Sequence, residues 1–131
     1  MKGIYGLEIF LKQDSHIKIG ALGTVDFEKG LYYYIGSAQN NLEKRIERHK
    51  KPKTKLHWHI DYLLNDENAN LERVFCKVAD KTEECRVAEQ ISAKNKSMKG
   101  FGCTDCSCRS HLFMGNSEKI LIANGMQVIP D

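Results

Sequence analysis

The chain has 131 residues, a usual size for one domain, of which 41% are hydrophobic and 28% charged. That apolar content excludes a disordered tail, and no run of roughly 18 apolar residues marks a membrane span. Net charge is only +3, from 20 Lys and Arg against 17 Asp and Glu, too mild as a whole to announce a nucleic-acid partner.

Met1-Lys2-Gly3-Ile4-Tyr5 runs straight into a strand pattern and lacks the apolar stretch and cleavage site of a signal peptide. Five cysteines are an odd number for a disulfide framework. A reducing, cytoplasmic setting is expected. Residues 3–11 alternate, with Tyr5, Leu7, Ile9 and Leu11 on one face of an extended strand. Lys12-Gln13-Asp14-Ser15 is a turn cluster, and Ile17, Ile19 and Ala21 then recur with period two, predicting a hairpin to a strand over 16–22. The aromatic run Leu31–Ile35 predicts a third, central strand ending at Gly36. Asn40, with Glu43 three residues on, has the form of a capping box and starts a helix that buries Leu42 and Ile46 and stops at Pro52.

A short helix is predicted over His57–Leu64, a loop over 65–70 and a strand over Leu71–Val78. Asp80 and Glu83 cap a further helix on which Cys85, Ala88 and Ile91 recur at helical spacing. Beyond Lys94 the chain is rich in Gly, Cys and Ser, with short strands at His111–Met114 and Ile120–Ala123. No repeat or linker divides it. The expectation is a single α/β domain: a central mixed or antiparallel sheet of three main strands flanked by helices, with its core over 3–114, a Cys-rich C-terminal loop and an extension over 115–131.

The charge is unevenly spread. Lys44, Arg45, Arg48, Lys50, Lys51, Lys53 and Lys55 crowd one stretch, opposed only by Glu47. Such a stripe attracts a phosphate backbone, and it also reads as a solvated helix face. Tyr32 and Tyr34 share a strand face, and Tyr5 stands on a neighbouring strand. A phenol has an unperturbed pKa near 10, so base work requires a nearby cation. Arg45 offers a planar fork to a phosphate, and His49 stands one helical turn on. Glu84 and Glu89 each supply the hard oxygen that magnesium prefers, and spacing alone does not choose between them. In His57-x-His59-x-Asp61 a helix lets only His57 and Asp61 share a face, so His57 is expected to meet a phosphate or brace the site. Cys103, Cys106, Cys108 and His111 form C-x₂-C-x-C-x₂-H, a donor set that tetrahedral zinc accepts. Buried small thiols packing a loop are the plainer account of it.

Gly3-Ile4-Tyr5, Tyr34-Ile35-Gly36, Arg45, His49 and a later helical glutamate together resemble the GIY-YIG nuclease superfamily. The run from Gly3 to about Met114 is similar to a small, mostly archaeal branch found alone or fused to endonuclease-III-type glycosylases. Tyr34-Ile35-Gly36-Ser37-Ala38, His57-Trp58-His59-Ile60-Asp61-Tyr62-Leu63, Phe101-Gly102, Asp105-Cys106, Cys108 and Ser110-His111-Leu112 carry that likeness. The resemblance implies a magnesium- or manganese-dependent endonuclease acting on DNA, in repair or recombination, and an association with a DNA glycosylase. It implies catalytic roles for Tyr5, Tyr34, Arg45 and His49, a metal on Glu84 in preference to Glu89, and a polar role for Asp105. Better-known members hold their two motifs closer together. Here Tyr5 and Tyr34 lie 29 positions apart, a gap that an extra hairpin strand fills. Two other readings stand beside this one. In the first, a non-catalytic module binds nucleic acid through Lys44, Arg48, Lys50, Lys51, Lys53, Lys55 and His57. In the second, zinc at the cysteine loop stabilises an interaction domain.

Overall fold

The computed structural model describes residues 1–103 and 108–130. Its strands are β1 (Gly3–Leu11), β2 (Ser15–Lys18), β3 (Thr24–Phe27), β4 (Gly30–Ala38), β5 (Ala69–Val78), β6 (Lys96–Ser97), β7 (Leu112–Met114) and β8 (Gln127–Val128). Its helices are α1 (Leu42–Lys50), α2 (His59–Leu64), α3 (Thr82–Ser92) and α4 (Glu118–Ala123). The expected α/β class holds, but the main sheet has six strands rather than three, in the order β6-β7-β4-β1-β5-β8. Every pairing described in it is antiparallel. β7 lies within the strand expected at His111–Met114, whereas the edge strands β6 and β8 escaped the sequence because two residues give no measurable period.

β1 pairs along its whole length with β4 on one side and β5 on the other, so Tyr5 lies opposite Gly36 and Leu7 opposite Tyr34. Alternation along these strands sends side chains to two cores. Tyr5, Leu7, Ile9, Leu11, Tyr32 and Tyr34 join α1 and α2 on one face. Ile4, Tyr33, Ile35 and Phe75 join α3 and α4 on the other. Having both edges of β1 occupied is also why the predicted hairpin of 3–11 with 16–22 does not form. β2 pairs instead with β3 in a separate two-stranded ribbon. The turn between them runs through Gly20 at φ 47° and Gly23 at φ 78°, positions costly for any residue with a Cβ.

Two further expectations are corrected at the C-terminus. Ile120–Ala123 lies within helix α4, not a strand; a four-residue apolar run fits either element, and only Leu121 of it is buried. The stretch after 114 is no appendage either, since Leu121 and Met126 complete the second core and β8 pairs with β5. Among the described residues no helix is long and apolar enough to cross a membrane.

Candidate functional site

A cleft of about 570 Å³ opens where the C-terminal end of β4 meets the starts of α1, α2 and α3, and Tyr5, Tyr34, Ser37, Arg45, His57, Trp58 and Glu84 line it. Each side chain arrives for a local reason. Tyr5 can lie flat across β4 because residue 36 is glycine: a Cβ there would come within 2.5 Å of the Tyr5 ring carbon Cζ and its hydroxyl. Gly102, at φ 75°, likewise lets its loop press against the Tyr34 ring, where a Cβ would meet Cε1 at 3.1 Å.

Helix α1 is capped by Asn41, whose side chain accepts from the Lys44 N–H at 3.0 Å, so the cap is one residue later than predicted. Arg45, one turn into that helix, donates to the Ser37 carbonyl at 3.1 Å, and its guanidinium lies 4.4 Å from the centre of the Trp58 ring. Trp58 is itself fixed by the fully buried Asp61, which accepts from the backbone N–H groups of His57 (2.8 Å) and Trp58 (2.9 Å) and takes both arms of Arg48 at 2.9 Å. Burial opposes ionisation of Asp61, but these four donors outweigh it and hold the carboxyl below its ordinary range.

Glu84 comes from the opposite direction. Helix α3 packs on the far face of the sheet through Val87, Ala88 and Ile91. Its first turn nevertheless reaches the end of β4, where the Ser37 hydroxyl donates to Glu84 at 3.2 Å and Glu84 faces the same cleft as Tyr34. A single partly buried carboxylate with a hydroxyl beside it and open space before it suits a hard divalent cation that keeps most of its waters. Glu89 is exposed and does not line this cleft, which separates the two glutamates that spacing left open.

His49 is not in the cleft. It is buried behind Tyr5, whose hydroxyl shares a 2.8 Å hydrogen bond with Nε2. Burial first, then the neighbouring Lys53, drives its pKa down to about 3, so the ring is neutral at physiological pH. Its Nδ1 has no hydrogen-bond partner among the described residues. Burial also pushes the Tyr5 phenol up to about 12, even against the Arg45 guanidinium, and raises Tyr34 well above its ordinary value. Both phenols are therefore protonated hydrogen-bonding groups.

The basic stripe is divided. Arg45 alone of its members lines the cleft. Arg48 is committed to Asp61, Lys51 lies 3.6 Å from Glu47, and Lys53 donates to the Lys51 carbonyl at 2.9 Å. Lys44, Lys50 and Lys55 are exposed outside it. Sequence reasoning missed Trp58 and Lys81 as cleft residues; the lone tryptophan of the chain was the available signal for the first, and nothing local marked the second. The zinc prediction changes membership. Among the described residues, Cys108 and His111 gather with Cys85 of α3, their ligand atoms all within 4.8 Å of one another, and Cys103 is not a member of this group. Cys106 and Asp105 lie outside the described residues.

A family model described as a domain of unknown function, DUF123, matches residues 4–130. The chain belongs to DUF123. No curated protein and no solved structure matches it. Because the DUF123 match runs through α4 and β8, it spans both cores and every side chain that lines the cleft.

Proposed function

We propose that this DUF123 domain is a metal-dependent endonuclease of the GIY-YIG kind that hydrolyses phosphodiester bonds in DNA. The observation that carries the reading is the convergence of Tyr5, Tyr34, Arg45 and Glu84 on one open cleft, although these residues come from two strands and from helices on opposite faces of the sheet. That set matches what phosphodiester hydrolysis needs: a cationic fork for the phosphate, polar hydrogens for the water and oxygens, and a hard ligand for a metal.

Arg45, held between Ser37 and the Trp58 ring, presents its remaining donors to a phosphate oxygen without losing much freedom on binding. Tyr34 and Tyr5, both protonated, donate to the phosphate or orient the attacking water. His49 fixes the Tyr5 hydroxyl from behind. Magnesium or manganese on Glu84 would neutralise charge that develops on the phosphate and the leaving oxygen. A role in repair or recombination beside a DNA glycosylase follows from the branch resemblance.

The test uses the purified full chain with supercoiled plasmid and with a branched duplex, in magnesium or manganese. Nicking is expected for the native chain, and loss of about 100-fold or more for Tyr34→Phe and for Glu84→Gln. Cutting that survives both substitutions overturns the assignment. The exposed lysines outside the cleft favour one other reading, a binding module without turnover. Salt-sensitive DNA binding with no cleavage in any divalent ion would select it.

A further inference from the structure

Cys85, Cys108 and His111 do not line the cleft, although His111 Nδ1 lies 3.7 Å from Glu84 Oε2, and they come together from two segments far apart in the chain. Cys85 is in the first turns of α3, next to Glu84, while Cys108 and His111 flank the strap that leads into β7. We propose that these three side chains bind one zinc ion that clips this strap to α3.

The donor set is two thiols and one imidazole, which zinc prefers over magnesium or calcium. Tetrahedral zinc separates sulfur and nitrogen ligands by about 3.5–3.8 Å, as follows from bond lengths of about 2.0–2.3 Å. The present spread of up to 4.8 Å closes to that by side-chain rotation of about an ångström. Little backbone movement is required, because the segment is already anchored. The His111 N–H donates to the Phe101 carbonyl at 2.9 Å, its carbonyl accepts from Ile35 at 2.9 Å, and the ring is 1% exposed. The Ser110 hydroxyl donates to the Met98 carbonyl at 2.6 Å. Three protein ligands leave one tetrahedral position for a further donor.

The clip has a consequence for the cleft. His111, bonded through its N–H to the Phe101 carbonyl, stands next to Gly102, which presses against Tyr34 and donates its N–H to His59 Nδ1 at 2.9 Å, and the same helix that carries Cys85 carries Glu84. One ion would therefore tie the wall beside the phenol to the base of the candidate magnesium ligand. The existence of this site does not depend on nuclease activity.

The experiment is zinc analysis of the full chain purified under reducing conditions without added metal, followed by cobalt replacement. One zinc per chain is expected, and cobalt should give a thiolate charge-transfer band with the intense visible absorption of tetrahedral coordination. Cys85→Ser should weaken that band by about half, since one of two thiolates is lost, while Cys76→Ser, on β5, should leave it intact. Chelation should lower the melting temperature of the native chain by about 5 °C or more and leave that of Cys85→Ser nearly unmoved. Native protein that carries no zinc and gives no thiolate–cobalt band overturns the proposal, as does a cobalt band unchanged in Cys85→Ser. Circular dichroism of Cys85→Ser separates lost ligation from lost folding, and should the variant not fold, the zinc content and cobalt band of the native chain decide alone.

Discussion

Two neighbouring tyrosines on β4 face opposite sides of the sheet, and each has an arginine and a glutamate near it. On the α3 side, Tyr33 donates to the carboxylate of Glu8. Arg73 clasps that carboxylate through Nε and Nη2 at 2.8 Å and reaches Glu118 with Nη1 at 2.7 Å. Glu8 is held below its ordinary pKa chiefly by the Arg73 hydrogen bonds. On the α1 side, Tyr34 and Tyr5 stand beside Arg45 and Glu84. Arg45, however, makes no ion pair among the described residues and spends one donor on a carbonyl, and Glu84 faces a cleft. The same three residue types thus make a closed ion-paired network on one face and a set that lines a cleft on the other, where Glu84 takes the Ser37 hydroxyl at 3.2 Å and lies 3.7 Å from His111 Nδ1. Composition does not separate structure from chemistry here; where the charges are directed does.

Exchanging each arginine for alanine breaks the comparison most sharply. Arg45→Ala should cut DNA cleavage by about 100-fold, with a stability cost of only about 1 kcal/mol, because truncation removes one carbonyl hydrogen bond and the Trp58 contact but leaves no buried charge unpaired. Arg73→Ala should do the reverse. It leaves Glu8, 6% exposed, without its main partner, and should cost about 2 kcal/mol in urea denaturation while cleavage per folded molecule is preserved. The figure is less than for a fully buried pair because the Arg73 side chain is 37% exposed to screening water. Equal losses of activity in the two variants would remove the distinction between the faces.

How much of this was legible beforehand divides along similar lines. The long central strands declared themselves, since Tyr5, Leu7, Ile9 and Leu11 alternate over nine residues buried on both faces. The motif tyrosines and Arg45 were legible as well. What local pattern could not give was long-range pairing: β2 turns onto β3 because β4 and β5 already occupy both edges of β1. The same blindness hid Cys85. Its helical spacing with Ala88 and Ile91 reads as core, and only the fold brings the loop bearing Cys108 and His111 against it. His49 misled in another way. Its place one turn after Arg45 suggested a cleft residue, but four steps of about 100° leave it a net turn of about 40° past Arg45, and that offset lines it up with Leu42 on the buried side of the helix.

That burial makes the next largest effect a pH dependence. His49 has its folded pKa near 3 against 6.5 for the exposed ring, so between those values the unfolded chain binds the proton and the folded chain does not. Stability should therefore be full above about pH 6.5 and fall as the medium is acidified, by between about 1 and 2 kcal/mol on reaching pH 5. The lowered carboxyl groups of Glu8 and Asp61 add their own loss only below the ordinary carboxylate range, from about 4.5 and 3.8 downward. Denaturant titrations of His49→Gln should flatten the limb between pH 6.5 and 5 and leave the more acidic limb in place. An unchanged upper limb would mean that the imidazole is solvated, and that Tyr5 is not held as described.

The smallest effects distinguish the parts of the basic stripe. Lys44 and Lys50 are exposed, so a DNA strand leaving the cleft can meet them only as screened point charges. Replacing either by alanine should lower the slope of log affinity against log salt by about one and weaken all sequences alike. Arg48 carries the same charge one turn from Lys44, but its fork is already saturated by Asp61. Arg48→Ala should leave the salt slope almost unchanged and lower stability instead, because Asp61 keeps its buried charge with only the two backbone donors. A slope that drops equally for Arg48 and Lys44 would place the phosphate track along α1 and away from the tyrosine cleft.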